Sequence, residues 1–209
     1  MFNGGTNWLS QWNKGGNGWM AEWNKAKTFS LRIGEICAAI PLPGSWEPND
    51  RIALAVASFE LALEHHSSIH LLLRHNKCAS ANALARPLLE AALRTTWLAE
   101  KASEKEISGI LKGRNVPILG ELNSVLSSSK SDPLVHGEHE GVLHCLTHGG
   151  SRALVAQYNE GEERERANAV IAAQAGFSLG SAGYTIAHHL GQQDFVTQLV
   201  EATPIPIVD

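Results

Sequence analysis

One segment, 81–98, constrains the fold of this chain more than any other. It reads ANALARPLLEAALRTTWL and is almost entirely apolar, yet it carries Arg86 and Glu90 one helical turn apart. Arginine and glutamate are rarely buried unless they are paired, and taking an ion out of water costs on the order of several kcal/mol. The sequence therefore predicts a core helix with an internal ion pair, and it indicates where a polar site should lie.

Arg94 extends the same stripe by one more turn, and Trp97 is close to that face. Two interpretations stay open: a functional site, or a buried ion pair that only fixes the packing register. A surface ion pair is less expected, because leucines surround the helix and leave little of its circumference for water. Pro87 predicts a kink beside the pair, since its ring removes one backbone hydrogen bond.

The composition is that of one globular domain with a packed core. Of 209 residues, 44% are hydrophobic and 18% are charged, and the formal net charge is -4. This charge provides no general attraction to phosphate backbones. The cysteines Cys37, Cys78 and Cys145 form no CxxC pair and indicate reduced thiols. The N-terminus lacks a secretory signal pattern, so we expect a cytoplasmic protein.

A long uncharged stretch, 167–187, has the length of a membrane span. It consists mostly of Ala, Gly, Ser and Thr, and it includes Asn168 and Gln174. We therefore expect a buried helix of a soluble protein and no membrane span. Within it, Ala172, Gly176 and Gly180 recur every four residues, and this spacing leaves a stripe of small side chains against which a neighbour can pack closely.

The N-terminal residues contain an internal repeat. NWLSQWNKGG is followed eleven residues later by GWMAEWNKAK, so Trp8, Trp12, Trp19 and Trp23 recur in register. Eleven residues are close to three helical turns, but the intervening glycines favour a break. The indoles either cover the core or a partner protein, or they stack on a ligand or a membrane surface. We predict homo-oligomerisation through this arm or through the small-residue stripe.

The hydrophobic spacing predicts helices and no strands, so the fold class is an all-α bundle of about six or seven helices. The domains are a Trp-repeat arm at 1–29, a bundle at 30–203 and an extended tail at 204–209. Asp50 is predicted as an N-cap, and Ser103 with Glu106 as a capping box. The predicted helices cover 30–40, 51–75, a stretch from near Ser80, one from Ser103 to Gly113, a short one opened by Pro117, one from Pro133 towards Cys145, and 162–189.

A second polar constellation follows in the segment HCLTHGGSR. Glu140, His144, His148 and Arg152 share one face if the glycines do not break the helix. Two histidines four residues apart can ligate one metal, and a histidine of the 51–75 helix could add a third ligand. The glutamate of an HExxH motif is missing, and no ExxH occurs, so His144 and His148 are weak metal candidates. The candidate third ligands are His65, His66 and His70.

The same segment suits acid–base chemistry without a metal. A histidine near neutral pKa can exchange a proton while a neighbouring arginine holds a phosphate, which is the division of labour needed to cleave RNA through its 2′-hydroxyl. The alternative is that His148 only packs at a helix break. There is no GxSxG and no glycine-rich phosphate loop, and we predict no cofactor.

Both segments together resemble a group of uncharacterised bacterial helical proteins. Its typical signature is A-x-AR-[PS]-L-x-E-A, followed by a W-L pair and later by TH-x-G. The resemblance spans 50–192 and excludes the tryptophan repeat. The matching residues are Ala85, Arg86, Pro87, Glu90, Ala91, Trp97, Leu98, Thr147, His148 and Gly150.

Such bundles look distantly like the HEPN superfamily, which includes RNase toxins and phage-defence effectors. That resemblance implies a protein of bacterial stress or phage defence that acts on RNA or binds a nucleotide. The residues concerned would be Arg86, Glu90, His148 and Arg152. The chain departs from the usual HEPN order of Arg before His, so whether it is an enzyme stays open. The alternatives are an oligomeric partner-binding module with a structural polar cluster, and a histidine-ligated metal enzyme.

Overall fold

A computed structural model describes residues 19–43, 49–114, 116–127 and 161–203. These residues form seven helices and no strand, which confirms the predicted all-α bundle. The tryptophans Trp8 and Trp12, the predicted helix from Pro133 towards Cys145 and the tail 204–209 lie outside the described residues. The helices are α1 (Trp19–Ala38), α2 (Asp50–Arg74), α3 (Cys78–Glu100), α4 (Glu104–Leu111), α5 (Leu119–Ser127), α6 (Glu162–His189) and α7 (Gln193–Ala202).

The four long helices α1, α2, α3 and α6 form the bundle. A short turn reverses the chain between α2 and α3, and Asn76 adopts a left-handed conformation there (φ 57°), which asparagine tolerates better than most residues. Thr96 and Thr185 join the C-terminal parts of α3 and α6 by a 3.1 Å hydrogen bond. Arg51 and Ser58 of α2 contact Leu98 and Ala91 of α3 in the opposite order, so α2 and α3 are antiparallel.

The small-residue stripe of α6 packs against α1. A Cβ added at Gly176 would lie 2.8 Å from a ring carbon of Phe29 and 2.9 Å from the Cα of Ser30. One turn further, a Cβ at Gly180 would lie 3.5 Å from the side chain of Ile33. The predicted close approach is confirmed, but the neighbour belongs to the same chain. The stripe therefore offers no free surface to a second copy.

The core confirms the interpretation of the stretch 167–187 as a buried helix. Asn168 and Gln174 are 3% and 1% exposed. Among the described residues, no helix is both long and apolar enough to cross a membrane. Cys37 and Cys78 are buried free thiols, as predicted, and burial raises the pKa of Cys37. The largest fully buried apolar side chains are Phe59, Ile33, Ile69, Leu88, Leu122, Leu179, Ile186, Leu199 and Val56.

The helix ends confirm one of the predicted capping motifs and correct another. The capping box is confirmed, because Ser103 Oγ accepts from the Glu106 backbone N–H while the Glu106 carboxylate accepts from the Ser103 N–H. The N-cap of α2 is Asn49 and not Asp50: Asn49 Oδ1 accepts from the Ile52 N–H at 3.2 Å. Both side chains can cap, and Asp50 instead takes the first turn, where the helix dipole favours a carboxylate.

Other predicted ends move by a few residues. Helix α3 begins at Cys78 rather than near Ser80, and it continues through Pro87 to Glu100. Helix α5 begins two residues after Pro117. Helix α1 begins at Trp19 and runs without interruption across the boundary predicted between residues 29 and 30. Part of the predicted arm is therefore continuous with the first helix of the bundle, and Trp23 packs against the core.

Candidate functional site

The predicted ion pair is present on α3. Arg86 Nε donates to Glu90 Oε1 at 2.9 Å. The expectation that this pair is buried is wrong, since the side chains of Arg86 and Glu90 are 48% and 28% exposed. Helices α2 and α6 pack on the sides of α3 that carry Ala91 and Thr96, so the edge with Arg86 is left partly open among the described residues.

Arg94 lies one turn beyond Glu90 on the same helix. Its side chain is half-buried, and its Nε is buried without a hydrogen-bond partner among the described residues. A buried donor without a partner costs about 1–3 kcal/mol, and more when the group is charged. Arg86, Glu90 and Arg94 are hereafter the α3 polar face. Trp97 is buried and takes no part in this surface.

The second half of the predicted site cannot be placed beside the first. Glu140, His144, His148 and Arg152 lie outside the described residues. Their proximity to the α3 polar face stays a prediction. Within the part of the chain that the structure describes, no three His, Cys, Asp or Glu side chains form a group that could hold a metal ion.

A second polar cluster, in the core, was not predicted from sequence. Ser30 Oγ of α1 lies 3.0 Å from His66 Nε2 and 2.8 Å from His70 Nε2, both on α2. His66 Nε2 also lies 3.1 Å from the Ser30 carbonyl oxygen, which can only accept. His66 therefore carries its proton on Nε2 and donates, and the Ser30 hydroxyl is free to donate to His70 Nε2.

Burial keeps both imidazoles uncharged. The pKa of His66 is lowered to about 3, first by loss of solvent and second by repulsion from His70, while the bond to the Ser30 carbonyl opposes the shift. Loss of solvent likewise lowers the pKa of His70 to about 4, with repulsion from Lys27 as the second cause. Ser30 is fully buried, so no substrate reaches its hydroxyl in this conformation. The cluster joins α1 to α2 and is not a catalytic site.

Only part of this cluster has a signal in the sequence. His66 and His70 are four residues apart, and His66 falls on the apolar face of α2, so a pair of histidines on one helix is predictable. Ser30 is 36 residues from His66, and nothing in its local sequence marks it as their partner.

A third polar group lies at the other end of the bundle. Arg51, in the first turn of α2, donates from Nη1 to the carbonyl oxygens of Leu98 and Ala102 and from Nη2 to the Glu104 carboxylate. The Leu98 carbonyl is one that the C-terminus of α3 leaves without a helical partner, and the Ala102 carbonyl lies in the link to α4. Arg51 thus ties the start of α2 to the junction between α3 and α4.

These observations define a helical-bundle protein with a partly exposed polar face on α3 and a sealed Ser–His–His cluster between α1 and α2. The chain belongs to the family of unknown function DUF6988, whose model matches residues 59–204. Neither the curated proteins nor the solved structures gave a match.

The family match confirms the predicted membership in an uncharacterised family. It includes the α3 polar face and the segment with His148, and it excludes α1 with the tryptophans. The match assigns no activity, and the likeness to HEPN proteins is not part of it.

Proposed function

We propose that this protein binds the phosphate of a nucleotide or of RNA at the α3 polar face. The observation that carries the proposal is Arg94, a half-buried arginine that has no carboxylate partner and no hydrogen bond to Nε among the described residues. A phosphate that contacts the terminal nitrogens of this arginine would supply a counter-charge through charge-assisted hydrogen bonds, which are about twice as strong as neutral ones.

Arg86 supplies the second cation of the proposed site. Its Nε is engaged by Glu90, but nearly half of its side chain is exposed, so its terminal N–H groups are accessible to a ligand. Guanidinium groups suit phosphate because their planar donors match its oxygens. The overall negative charge argues against wide coverage of a nucleic acid duplex, so the proposed ligand contacts few phosphates.

The proposal extends to His148 and Arg152 as further members of the site, with RNA cleavage as the reaction. His148 would exchange a proton with the 2′-hydroxyl or the leaving oxygen, and Arg152 would hold the phosphate. Such an activity fits a cytoplasmic protein of bacterial stress or phage defence. Self-association through the tryptophan arm belongs to the same proposal, because α1 already occupies the small-residue stripe.

The binding step is tested with the purified full chain and a labelled single-stranded RNA by fluorescence anisotropy. We expect Arg94→Ala to weaken binding about tenfold or more and Arg86→Ala to weaken it severalfold, with a smaller salt dependence in each variant. The matched control is Arg32→Ala, because Arg32 forms a similar helical pair with Glu35 on α1 at 3.5 Å. Equal affinity in all four proteins would rule the site out.

The reaction is tested separately with His148→Ala. Loss of RNA cleavage or of toxicity on expression, with an unchanged circular dichroism spectrum, would support an enzyme. If either effect persists in the folded variant, His148 is not catalytic. If the wild-type protein binds RNA without cleaving it, the rival interpretation of a non-enzymatic binding module stands.

A further inference from the structure

We infer that Glu90 selects a ribose hydroxyl, so that the ligand of the α3 polar face is a ribonucleotide unit and not a deoxyribonucleotide. This inference rests on the proposed function, because it assumes that Arg86 and Arg94 hold a phosphate. It adds the chemical class of the sugar, which the phosphate contacts alone do not specify.

The geometry of the ion pair leaves Glu90 able to accept from a ligand. Arg86 contacts the carboxylate through one nitrogen and one oxygen, Nε to Oε1 at 2.9 Å. The other oxygen, Oε2, has no hydrogen-bond partner among the described residues, and the side chain is 28% exposed. A two-point Arg–carboxylate contact would have engaged both oxygens. The single contact leaves one acceptor for a donor group of the ligand.

Electrostatics explains why that donor matters. Glu90 lies between two arginines in sequence, at positions i, i+4 and i+8 of one helix, so a phosphate held by the arginines approaches a carboxylate. Like charges at close range repel unless a donor group lies between them. A ribose hydroxyl is such a donor, and it lies within one sugar unit of a phosphate. Within a DNA strand the deoxyribose has no hydroxyl to donate, because it lacks the 2′-hydroxyl and its 3′ oxygen is esterified, so the repulsion stays in place.

The spacing on α3 fits a single nucleotide unit. Glu90 and Arg94 are one turn apart, about 6 Å along the helix axis. Their side chains can therefore contact the sugar and the phosphate of the same nucleotide. Carboxylates are used in this way for the ribose of dinucleotides in other folds, so the chemistry is established even though the fold is different.

The experiment compares ribose and deoxyribose probes on the full chain. Octaadenylate RNA and octadeoxyadenylate DNA are titrated by anisotropy, and AMP and 2′,3′-dideoxy-AMP by calorimetry. We expect the wild-type protein to bind the ribose form about tenfold more tightly, which is the range of one hydrogen bond to a charged group. Preference in the mononucleotide pair would indicate a free nucleotide, and preference in the octamers alone would indicate an RNA chain.

Variants of Glu90 separate selection from binding. Glu90→Ala should bring the ratio of ribose-probe affinity to deoxyribose-probe affinity close to one. Glu90→Gln should lower this ratio mainly because the deoxyribose probe binds more tightly once the repulsion is removed. The matched control is Glu35→Gln, since Glu35 pairs with Arg32 on α1 in the same way and should leave the ratio unchanged. Glu90 is partly exposed on a helix, so both substitutions are compatible with folding.

The outcomes distinguish the two proposals. Equal affinity of wild-type protein for ribose and deoxyribose probes, with both weakened by Arg94→Ala, would overturn the role of Glu90 and leave the phosphate site intact. No binding of any probe, or binding that ignores both arginine substitutions, would overturn both proposals together.

Discussion

Ser30 and His70 are joined by a 2.8 Å hydrogen bond that connects α1 to α2 across forty residues of sequence. The serine hydroxyl donates, because His66 already donates to the carbonyl oxygen of the same serine. Helix α1 lies outside the family match, whereas both histidines lie within it. A helix that the family model does not include is thus held to α2 by two neutral imidazoles.

Acid should destabilise the protein through these imidazoles. The pKa values of His66 and His70 in the folded protein are about 3 and about 4, below the ordinary value of 6.5. Between about pH 6.5 and 4 the unfolded chain therefore binds more protons, so the free energy of unfolding falls as the pH falls. We expect a loss of about 3 kcal/mol from pH 7 to 4.5, reduced for the partial exposure of His70. Urea denaturation at a series of pH values measures it.

A control variant assigns this pH dependence. His70→Gln removes one titrating group and keeps a side chain that can accept from Ser30. Its loss of stability between pH 7 and 4.5 should be smaller than that of the wild-type protein. A stability that stays constant over this range in the wild-type protein would contradict neutral, buried histidines.

Removing the Ser30 hydroxyl should destabilise the bundle. Ser30→Ala leaves His70 Nε2 without its donor, and an unsatisfied buried group costs about 1–3 kcal/mol. The control is Ser67→Ala, because Ser67 is exposed and bonds only to the carbonyl oxygen of Leu63 in its own helix. The urea midpoints of both variants are compared with that of the wild-type protein. Similar midpoints for the two variants would show that the Ser30 contact contributes little to stability.

The contact between α1 and α6 is tested at Gly176. In Gly176→Ala the new methyl group would meet the Phe29 ring and the Ser30 backbone, so α1 must shift. We expect a loss of about 1–3 kcal/mol, typical of an overpacked core. Gly120→Ala is the control, since nothing lies within 4 Å of its added Cβ and alanine favours a helix. Thermal unfolding should show a lower Tm for Gly176→Ala and a higher Tm for Gly120→Ala. A Gly176→Ala protein as stable as the wild-type protein would contradict the close packing.

Arg51 should contribute more to the stability of the fold than its ion pair with Glu104 does. Arg51→Gln removes donors from the carbonyl oxygens of Leu98 and Ala102 at the end of α3, and we expect a loss of about 1–2 kcal/mol. Glu104→Gln should change stability by less than about 0.5 kcal/mol, because the Glu104 side chain is 85% exposed. Denaturation midpoints compare the two. Equal effects would mean that the ion pair, rather than the capping, stabilises this junction.

The sequence located elements with strong local signals. Helix α6 has its predicted bounds, since the charged helix formers at 162–166 and the mainly small and apolar residues that follow them contain no proline. The capping box formed as predicted, because Ser103 and Glu106 need only each other's backbone. The Arg86–Glu90 pair likewise depends on i, i+4 spacing alone.

The exposure of the Arg86–Glu90 pair could not be deduced from local spacing. Leucines around Arg86 indicated a buried pair, but burial depends on which sides of α3 the other helices cover. Helices α2 and α6 cover two sides, and the edge with Arg86 stays partly open among the described residues. The sequence pattern names the apolar positions, whereas the number and placement of neighbours decide how much of the remaining surface meets water.

By itself, the sequence determined the helical class, the bounds of α6 and the presence of a charged pair on α3, because each follows from contacts within one helix. Only the tertiary structure decided that Ser30 satisfies two buried histidines, that α1 fills the glycine stripe of α6, and that the α3 pair is partly exposed. These features join residues distant in sequence. Their partners are selected by the packing of whole helices, which local spacing does not encode.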